Sequence, residues 1–244
     1  MPDSAFAYSG SELDVFAAAA NWRSYWGDQV RPFQGRRVLE VGAGIGSVTR
    51  ALCHPGVERW VALEPDAGMA GHLASIAADG FAAPVSARRG TVADLDTAER
   101  FDSVLYIDVL EHIADDDAEL RRVAGHVDPG GHIVVLSPAH QFLYTPFDAA
   151  IGHHRRYDRA SLRRLAPGGC RLVTLRYLDS VGMLASLGNR LLLKSAHPKP
   201  AQIALWDRCM VPLSRRLDPL TGYRCGKSLL AVWRKDPVAD GAVG

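Results

Sequence analysis

Lysine, cysteine and an excess of charge are what this chain has little of. Only four of its 28 basic residues are lysines, and its formal net charge is +1. A balance so close to neutrality gives no electrostatic support for a nucleic-acid partner. The four cysteines form no Cys-x-x-Cys pair, so we expect neither a zinc site nor a disulfide framework.

A long uninterrupted apolar run is also missing. The longest apolar stretch, 180–193, contains Asn189 and Arg190 and is too short to cross a bilayer. The first ten residues carry acid where a signal peptide has basic residues. We therefore expect a cytoplasmic protein without membrane attachment. Apolar residues at helical spacing within 179–226 are expected to form a lid over the substrate or a homodimer surface, with a membrane-lying helix the less favoured alternative.

Short apolar strands alternate with helical segments along most of the chain. Strands are expected at 37–41, 59–66, 83–90, 101–109, 132–138, 171–178 and 227–235. Helices are expected at 11–33, 46–53, 67–79, 118–127 and 159–166, while 139–157 has no clear period. This alternation predicts an α/β fold with a Rossmann-like, doubly wound and mostly parallel sheet. Ligands of such sheets bind beyond the carboxyl ends of the strands, beside the first strand.

The stretch "VLEVGAGIGSVTR" (38–50) lies at that position and predicts a tight turn that approaches a ligand. A phosphate-binding P-loop needs Lys and then Ser or Thr after its glycines, but Ser47 and Val48 follow Gly46 here. A dinucleotide fingerprint needs a third glycine where Ser47 stands. Glu40, at the end of the strand, would be unfavourable beside a pyrophosphate but useful beside an ammonium group.

A second acid, Glu64, ends the second predicted strand, 18 residues after Gly46. A carboxylate at that point can accept both hydroxyls of a ribose. The turn, Glu40 and Glu64 together describe a ligand with an amino-acid end and a nucleoside end. S-adenosylmethionine fits this description better than NAD, and a Rossmann-type oxidoreductase remains as a less favoured rival.

Five segments carry a resemblance to a known family: "VLEVGAGIGSVT", "VALEPD", "FDSVLYIDVLEHI", "PGGHIVVLSP" and "GHHRRYDRASLRRL". In that order they resemble class I S-adenosylmethionine-dependent methyltransferases over about 35–178. The last segment resembles a branch acting on small molecules, in which Gly-His-x-Arg-Arg-Tyr follows strand 5. The resemblance implies a seven-stranded sheet with one antiparallel C-terminal strand, for which "KSLLAVWRK" (227–235) is suited. It divides the chain into a helical cap at 1–34, the cofactor-binding core at 35–178, the lid or dimerisation insertion at 179–226, and the last strand and tail at 227–244.

The resemblance also implies which residues bind the cofactor. The methionine end would be lined by Glu40, Gly42, Ala43, Gly44 and Gly46. Glu64 would bind the ribose, and Pro65 and Asp66 would lie beside the adenine. Asp108, Val109 and His112 would border the sulfonium and the acceptor. Many members have Gly-Asp-Ala after strand 3, but this chain has "GTVADL", so the adenine contacts are expected from Thr91, Val92 or Asp94.

The segment after strand 5 is the candidate for catalysis. A base is useful when the acceptor starts as a phenol, an alcohol or an ammonium, and histidine suits neutral pH. We expect His153 or His154 to be this base, with Tyr157 also catalytic. The acceptor would be positioned by Tyr144, Arg155 and Arg156. The plainer alternative is a structural loop whose arginines bind backbone carbonyls and whose tyrosine packs inside.

Two further alternatives stay open at this point. The acids of "ADDDAE" (114–119) are numerous enough for a divalent metal, but a helix N-terminus favours acids without one, so no metal site is expected there or elsewhere. The cofactor motifs also suit a protein of this fold that uses S-adenosylmethionine for a non-methylating reaction or a structural role. The favoured function is methyl transfer to oxygen or nitrogen of a small-molecule acceptor, rather than to carbon.

Overall fold

The protein is built around one seven-stranded sheet. The computed structural model describes residues 18–77, 80–188 and 200–237. The strands are β1 (Arg37–Val41), β2 (Arg59–Glu64), β3 (Val85–Arg89), β4 (Phe101–Ile107), β5 (Val127–Pro138), β6 (Cys170–Leu178) and β7 (Ser228–Lys235). Their spatial order is β3-β2-β1-β4-β5-β7-β6. β7 runs antiparallel to β5 and β6, and the first five strands pair in parallel. The predicted fold class, with its inserted antiparallel C-terminal strand, is confirmed.

Helices cover both faces of this sheet. They are α1 (Ala20–Val30), α2 (Ser47–Leu52), α3 (Ala67–Ala77), α4 (Asp116–Ala124), α5 (Pro146–Ala150), α6 (Arg159–Arg164), α7 (Ser180–Gly188), α8 (Pro200–Leu205) and α9 (Val211–Leu220). One apolar layer joins the sheet to α4 and α6, and the other joins it to α1, α2, α3, α8 and α9. The central strands are buried on both faces and therefore read in sequence as nearly continuous apolar runs.

Several predicted boundaries differ from the structure. β5 begins at Val127 rather than at residue 132, because Phe101 of β4 pairs with Val127 and draws "DPGG" into the strand. α4 begins at Asp116 because Asp115 caps it by accepting the backbone N–H of Ala118 at 2.9 Å. The predicted helix 11–33 is described as α1, and residues 1–17 lie outside the described part of the chain.

The segment 139–157 is folded over the carboxyl end of β5. It contains a 3-10 turn at Gln141–Leu143 and the short helix α5, whose Thr145 and Asp148 form a capping box. Its far end is fixed to the sheet, because the Tyr157 N–H donates to the Pro138 carbonyl at 2.9 Å and the His140 N–H donates to the Tyr157 carbonyl at 2.8 Å. The connection therefore returns to the strand that it leaves, and the residues between lie at the carboxyl end of β5.

The helices after β6 are tied to the N-terminal helix α1 by buried carboxylates. Asp207 accepts the Trp22 N–H at 2.9 Å, and Asp218 accepts the Tyr25 hydroxyl at 2.7 Å. No helix of the described residues is long and apolar enough to cross a membrane. All four cysteines are free thiols. The lid or dimer role of the insertion stays a prediction.

Candidate active site

The glycine turn lies between the carboxyl ends of β1 and β2. The N–H groups of Gly42 and Ala43 both donate to the Leu63 carbonyl, at 2.8 and 3.1 Å, which fixes the turn to β2. A Cβ on Gly42 would lie 2.7 Å from Val109, so glycine is needed there for packing. Gly44 also has a positive φ, +54°, but the space around it differs from that around Gly42: a Cβ built on Gly44 would have no described atom within 4 Å. The backbone at Gly44 therefore borders open space of the kind a ligand occupies.

Glu40 lies beneath this turn and is only 2% exposed. Its Oε2 accepts hydrogen bonds from the Thr49 hydroxyl at 2.5 Å and the Trp60 indole at 2.8 Å. Its Oε1 is buried and has no hydrogen-bond partner within the described chain. Burial raises the pKa of Glu40 to about 7, although the two hydrogen bonds oppose the shift. One carboxylate oxygen is thus left for a donor, such as an ammonium group, that the described residues do not supply.

Glu64 connects the end of β2 to the glycine turn. One of its oxygens accepts the Gly44 N–H at 2.8 Å, and the other accepts the Asp66 N–H at 2.9 Å. Burial raises its pKa, and these backbone hydrogen bonds oppose the rise. Pro65 is exposed beside it, and the Asp66 carboxylate accepts the Met69 N–H at 2.9 Å in the first turn of α3. Of the two predicted cofactor acids, Glu64 therefore lies beside the open space at Gly44, and Glu40 is buried on the strand that leads into the turn.

The residues after β3 form a closed local unit. The Asp94 carboxylate accepts the N–H and the hydroxyl of Thr91, at 2.7 and 2.9 Å, in a capping box. These hydrogen bonds lower the pKa of Asp94. Val92 is buried against the sheet. Where other members have Gly-Asp-Ala, Thr91 is thus bonded to Asp94 in a local cap, and the Val92 side chain packs in the core.

The end of β4 carries a second group of acids. Asp108 has a φ of +54°. The residue keeps an exposed surface, although many protein atoms lie around its carboxyl group. Glu111, in the 3-10 turn Leu110–His112, is 0% exposed, and neither of its carboxylate oxygens has a hydrogen-bond partner among the described residues. Burial raises the pKa of both carboxyls, most strongly that of Glu111, which also faces Asp108. The Ser137 hydroxyl lies near Glu111 and opposes this rise in the pKa of Glu111, although it makes no hydrogen bond of normal geometry with it.

Of the two adjacent histidines, His153 has its side chain buried beside Glu111 and Asp148, and His154 does not. The His153 side chain is 8% exposed, its Nδ1 lies 3.1 Å from Asp148, and its Nε2 lies 3.9 Å from Glu111. Its ring meets the ring of His112 edge to face, with centroids 4.5 Å apart. Burial lowers the pKa of His112 to about 4. His154 is exposed, and its backbone N–H donates to the Glu111 carbonyl at 2.8 Å.

Asp148 orients the His153 ring through its contact with Nδ1. The Arg156 guanidinium donates to both oxygens of Asp148, at 2.9 and 3.0 Å, and the Thr145 N–H donates to the same carboxylate. Although burial opposes the change, the His153 hydrogen bond and the Arg156 charge lower the pKa of Asp148 to about 2. The Tyr144 hydroxyl donates to the His153 carbonyl at 2.6 Å. Tyr144 and Arg156, expected to touch the acceptor, thus have contacts that position His153.

Arg155 and Tyr157 lie on the framework side of the same loop. The Arg155 guanidinium pairs with Asp116 at 2.7 Å and donates to the Ala114 carbonyl at 2.7 Å. Tyr157 is 1% exposed, and its hydroxyl donates to Asp116 at 2.7 Å. Burial and this hydrogen bond raise the pKa of Tyr157. These contacts favour the structural alternative for both residues, and they give Asp116 of the acidic run a partner other than a metal.

Two residues of this site were missed by the sequence reasoning. Glu111 stands in an acid-rich stretch that resembles an exposed helix start, and Asp148 stands in a segment without a period. For Glu111 the available signal was an acid that stands between apolar Leu110 and His112–Ile113. For Asp148 it was the Thr-x-x-Asp capping pattern at 145–148. Neither pattern alone predicts burial.

Comparison with known proteins agrees with this fold. The model of the methyltransferase domain family matches residues 14–181. The chain belongs to this family, which confirms the class expected from the sequence, an S-adenosylmethionine-dependent methyltransferase.

Individual relatives are more distant. The ubiquinone biosynthesis O-methyltransferase of Azorhizobium caulinodans is 37% identical over 107 residues, which is 43% of this chain and 42% of that protein. The match thus spans less than half the length of this curated relative. The YcgJ protein of Bacillus subtilis shares the fold with a TM-score of 0.58 at 16% identity, over 88% of this chain and 99% of that chain. The [4+2]-cyclase SpnF also shares it, with a TM-score of 0.58 at 16% identity, over 88% of this chain and 81% of that chain.

Proposed function

We propose that the protein transfers the methyl group of S-adenosylmethionine to a hydroxyl oxygen of a small-molecule acceptor. The observation that carries this proposal is the open space at Gly44, whose N–H donates to Glu64. Glu40, on the strand that leads into this turn, has a buried oxygen without a partner among the described residues. At the end of β4, the turn Leu110–His112 lies against His153, whose Nε2 is 3.9 Å from Glu111. A cofactor groove and a histidine-containing acceptor pocket therefore share one edge of the sheet.

The cofactor would lie across the turn with its amino-acid end toward Glu40. Its ammonium group would donate to the Glu40 Oε1, the oxygen that has no partner in the described part of the chain. Its ribose hydroxyls would donate to Glu64, since a carboxylate has about four acceptor sites and the two backbone N–H groups use only two of them. The adenine would lie near Pro65, Asp66 and the Val92 backbone.

This orientation would place the sulfonium near Asp108 and Val109, at the end of β4. Methyl transfer from a sulfonium is an in-line displacement, so the protein has to align the acceptor with the methyl group and exclude water. The C–S bond breaks as the bond from carbon to the acceptor oxygen forms, and neutral S-adenosylhomocysteine leaves. The hydroxyl proton has to be removed, which requires an activating group in the pocket.

We assign the activation of the acceptor hydroxyl to His153. Its Nδ1 faces Asp148, so the N–H lies on that nitrogen and the lone pair of Nε2 faces the pocket. His154 lacks such an orienting partner and is exposed. Oxygen is preferred over nitrogen as the acceptor atom because the curated relative is named an O-methyltransferase.

A transfer assay tests this proposal. The protein is incubated with S-adenosylmethionine labelled in the methyl group and with separate panels of catechols, monophenols, hydroxy acids and amines. We expect labelled product from at least one hydroxyl panel, with one S-adenosylhomocysteine formed per methyl transferred. A chain that binds S-adenosylhomocysteine but converts no panel would favour a non-methylating use of the cofactor. Transfer to amines alone would contradict the assignment to oxygen.

A further inference from the structure

Lys227 carries an ammonium group at the edge of the sheet where the cofactor is proposed to bind. It immediately precedes β7, and Ser228, the first residue of that strand, pairs with Pro138 at the carboxyl end of β5. The Lys227 carbonyl accepts the Ala139 N–H at 2.8 Å, which fixes the lysine backbone to the same end. Because β5 lies between β7 and β4, Lys227 is two strand spacings, about 10 Å, from the end of β4.

The ammonium of Lys227 has neighbours but no hydrogen bond in the described part of the chain. Its Nζ lies 3.8 Å from Asp179 Oδ2, too far for a hydrogen bond, and 3.7 Å from the centroid of the Trp206 ring. A lysine ammonium has three N–H donors. The side chain keeps 25% of its surface exposed, so these donors are within reach of a bound molecule.

Asp179 is engaged by donors other than Lys227. Its carboxylate is 0% exposed and accepts the Gly182 N–H at 3.0 Å, the Ser214 hydroxyl at 2.7 Å and the Trp206 indole N–H at 2.7 Å. A buried carboxylate satisfied in this way is part of the framework. The indole hydrogen bond also fixes the Trp206 ring, whose face lies against the ammonium. The framework therefore positions Lys227 without accepting a hydrogen bond from it.

The other charges that face Lys227 belong to the proposed active site. Burial and the Arg156 charge lower the pKa of Lys227, while the charges of Asp179 and Asp108 oppose this shift. The Arg156 guanidinium is already bound to both oxygens of Asp148. Lys227 thus has donors left for a ligand, whereas the guanidinium beside it is engaged.

We propose that Lys227 binds a carboxylate of the methyl acceptor, so that the substrate is a hydroxy acid with its hydroxyl near the end of β4 and its carboxylate beside β7. A single ammonium matches a singly charged carboxylate better than a phosphate, because Asp179 would repel a second negative charge. Hydrogen bonds between ionised partners are short and strong, and partial burial strengthens them further. The place of the hydroxyl rests on the proposed function, but the carboxylate contact needs no methyl transfer.

Ligand binding to the full chain loaded with S-adenosylhomocysteine tests this contact. Calorimetry compares hydroxybenzoates and hydroxyphenylacetates with the primary amide of each, which keeps the shape of the acid and removes its charge. We expect the wild type to bind at least one acid about tenfold more tightly than its amide, because a hydrogen bond to a charged group is stronger than one between neutral partners. Lys227→Gln and Lys227→Met should bind the acid and the amide about equally.

Lys235→Gln is the matched control. It removes an ammonium from the opposite end of β7 and should keep the preference of the wild type. Binding of S-adenosylhomocysteine should be unchanged in all three variants, which shows that they are folded. Equal binding of every acid and its amide to the wild type, binding of neither, or an acid preference that survives in both Lys227 variants would overturn the proposal.

Transfer kinetics separate this inference from the proposed function. With an acid that is methylated, Lys227→Gln should raise KM about tenfold with kcat little changed, because the carboxylate contact is the same in the bound substrate and in the transition state. A Lys227-dependent preference for acids without any methyl transfer would contradict the proposed function alone. Transfer to amides as efficient as transfer to acids would contradict the Lys227 contact alone.

Discussion

The clearest prediction concerns a proton on Glu40. In the protein without cofactor, burial raises the pKa of Glu40 to about 7, from 4.5 for an exposed glutamate. An ammonium group placed against Oε1 favours the ionised carboxylate. Cofactor binding below pH 7 should therefore release a proton, and affinity should rise with pH through this range.

The size of this effect follows from the titration. If the pKa falls below 5 in the complex, the fraction of ionised Glu40 in the free protein limits binding, and affinity should rise about fifteenfold (~1.6 kcal/mol) between pH 5.5 and pH 7. An α-amino group titrates at about 7.7–8.0, so the ammonium of the cofactor stays charged over this window.

The same pKa also predicts how stability changes with pH. A carboxyl with a raised native pKa binds more protons folded than unfolded, so it reduces stability as pH rises from 4.5 toward 7. This loss is at most about 3 kcal/mol and is complete above pH 7. Glu40→Gln removes the titration but keeps an oxygen for the Thr49 and Trp60 donors. Without cofactor this variant should be more stable than the wild type at pH 8.

Calorimetry of S-adenosylhomocysteine binding in buffers of different ionisation enthalpy measures both affinity and proton release. We expect the wild type to release up to one proton at pH 5.5–6, and Glu40→Gln to bind more weakly with little pH dependence. A wild type with flat affinity between pH 5.5 and pH 7, or a variant with the same slope, would refute the assignment of Glu40 to the ammonium.

Three further substitutions, with one control, test the other assignments. Glu64→Ala should weaken S-adenosylhomocysteine binding by about 1–3 kcal/mol, the value of hydrogen bonds to a charged acceptor, and unchanged affinity in a folded variant would remove it from the ribose site. His153→Ala should lower kcat by about a hundredfold or more with cofactor affinity nearly unchanged, whereas exposed His154→Ala should be mild; equal effects would contradict the choice between them. Tyr157→Phe should lower the free energy of unfolding by about 1–2 kcal/mol, through the lost bond to Asp116, and leave kcat nearly unchanged. A large fall in kcat would restore Tyr157 as catalytic.

The positions of the candidate cofactor residues in the fold were predictable because their determinants are local. Glu40, the glycine turn and Glu64 lie at fixed places relative to the ends of two strands, and parallel strands bring those ends to one edge of the sheet. Knowledge of the strands therefore places these residues, without any knowledge of side-chain packing.

The acceptor pocket was less predictable because its contacts are tertiary. Glu111 becomes buried only when the loop carrying His153 folds over it, and Asp148 becomes the partner of His153 and Arg156 only in the folded loop. The start of β5 was misplaced for a similar reason. Gly130 belongs to a turn-like "DPGG" sequence, but pairing with β4 extends the strand through it.

The most direct test of the account is cofactor binding at the glycine turn. Titration calorimetry should show saturable one-to-one binding of S-adenosylhomocysteine to the wild type and none to Gly44→Val, since the new side chain would enter the space assigned to the cofactor. Gly222→Val, at an exposed turn with a similar φ of +62° and open space around it, is the matched control and should bind normally. Absence of binding to the wild type, or normal binding to a folded Gly44→Val, would contradict the assignment of this turn to S-adenosylmethionine.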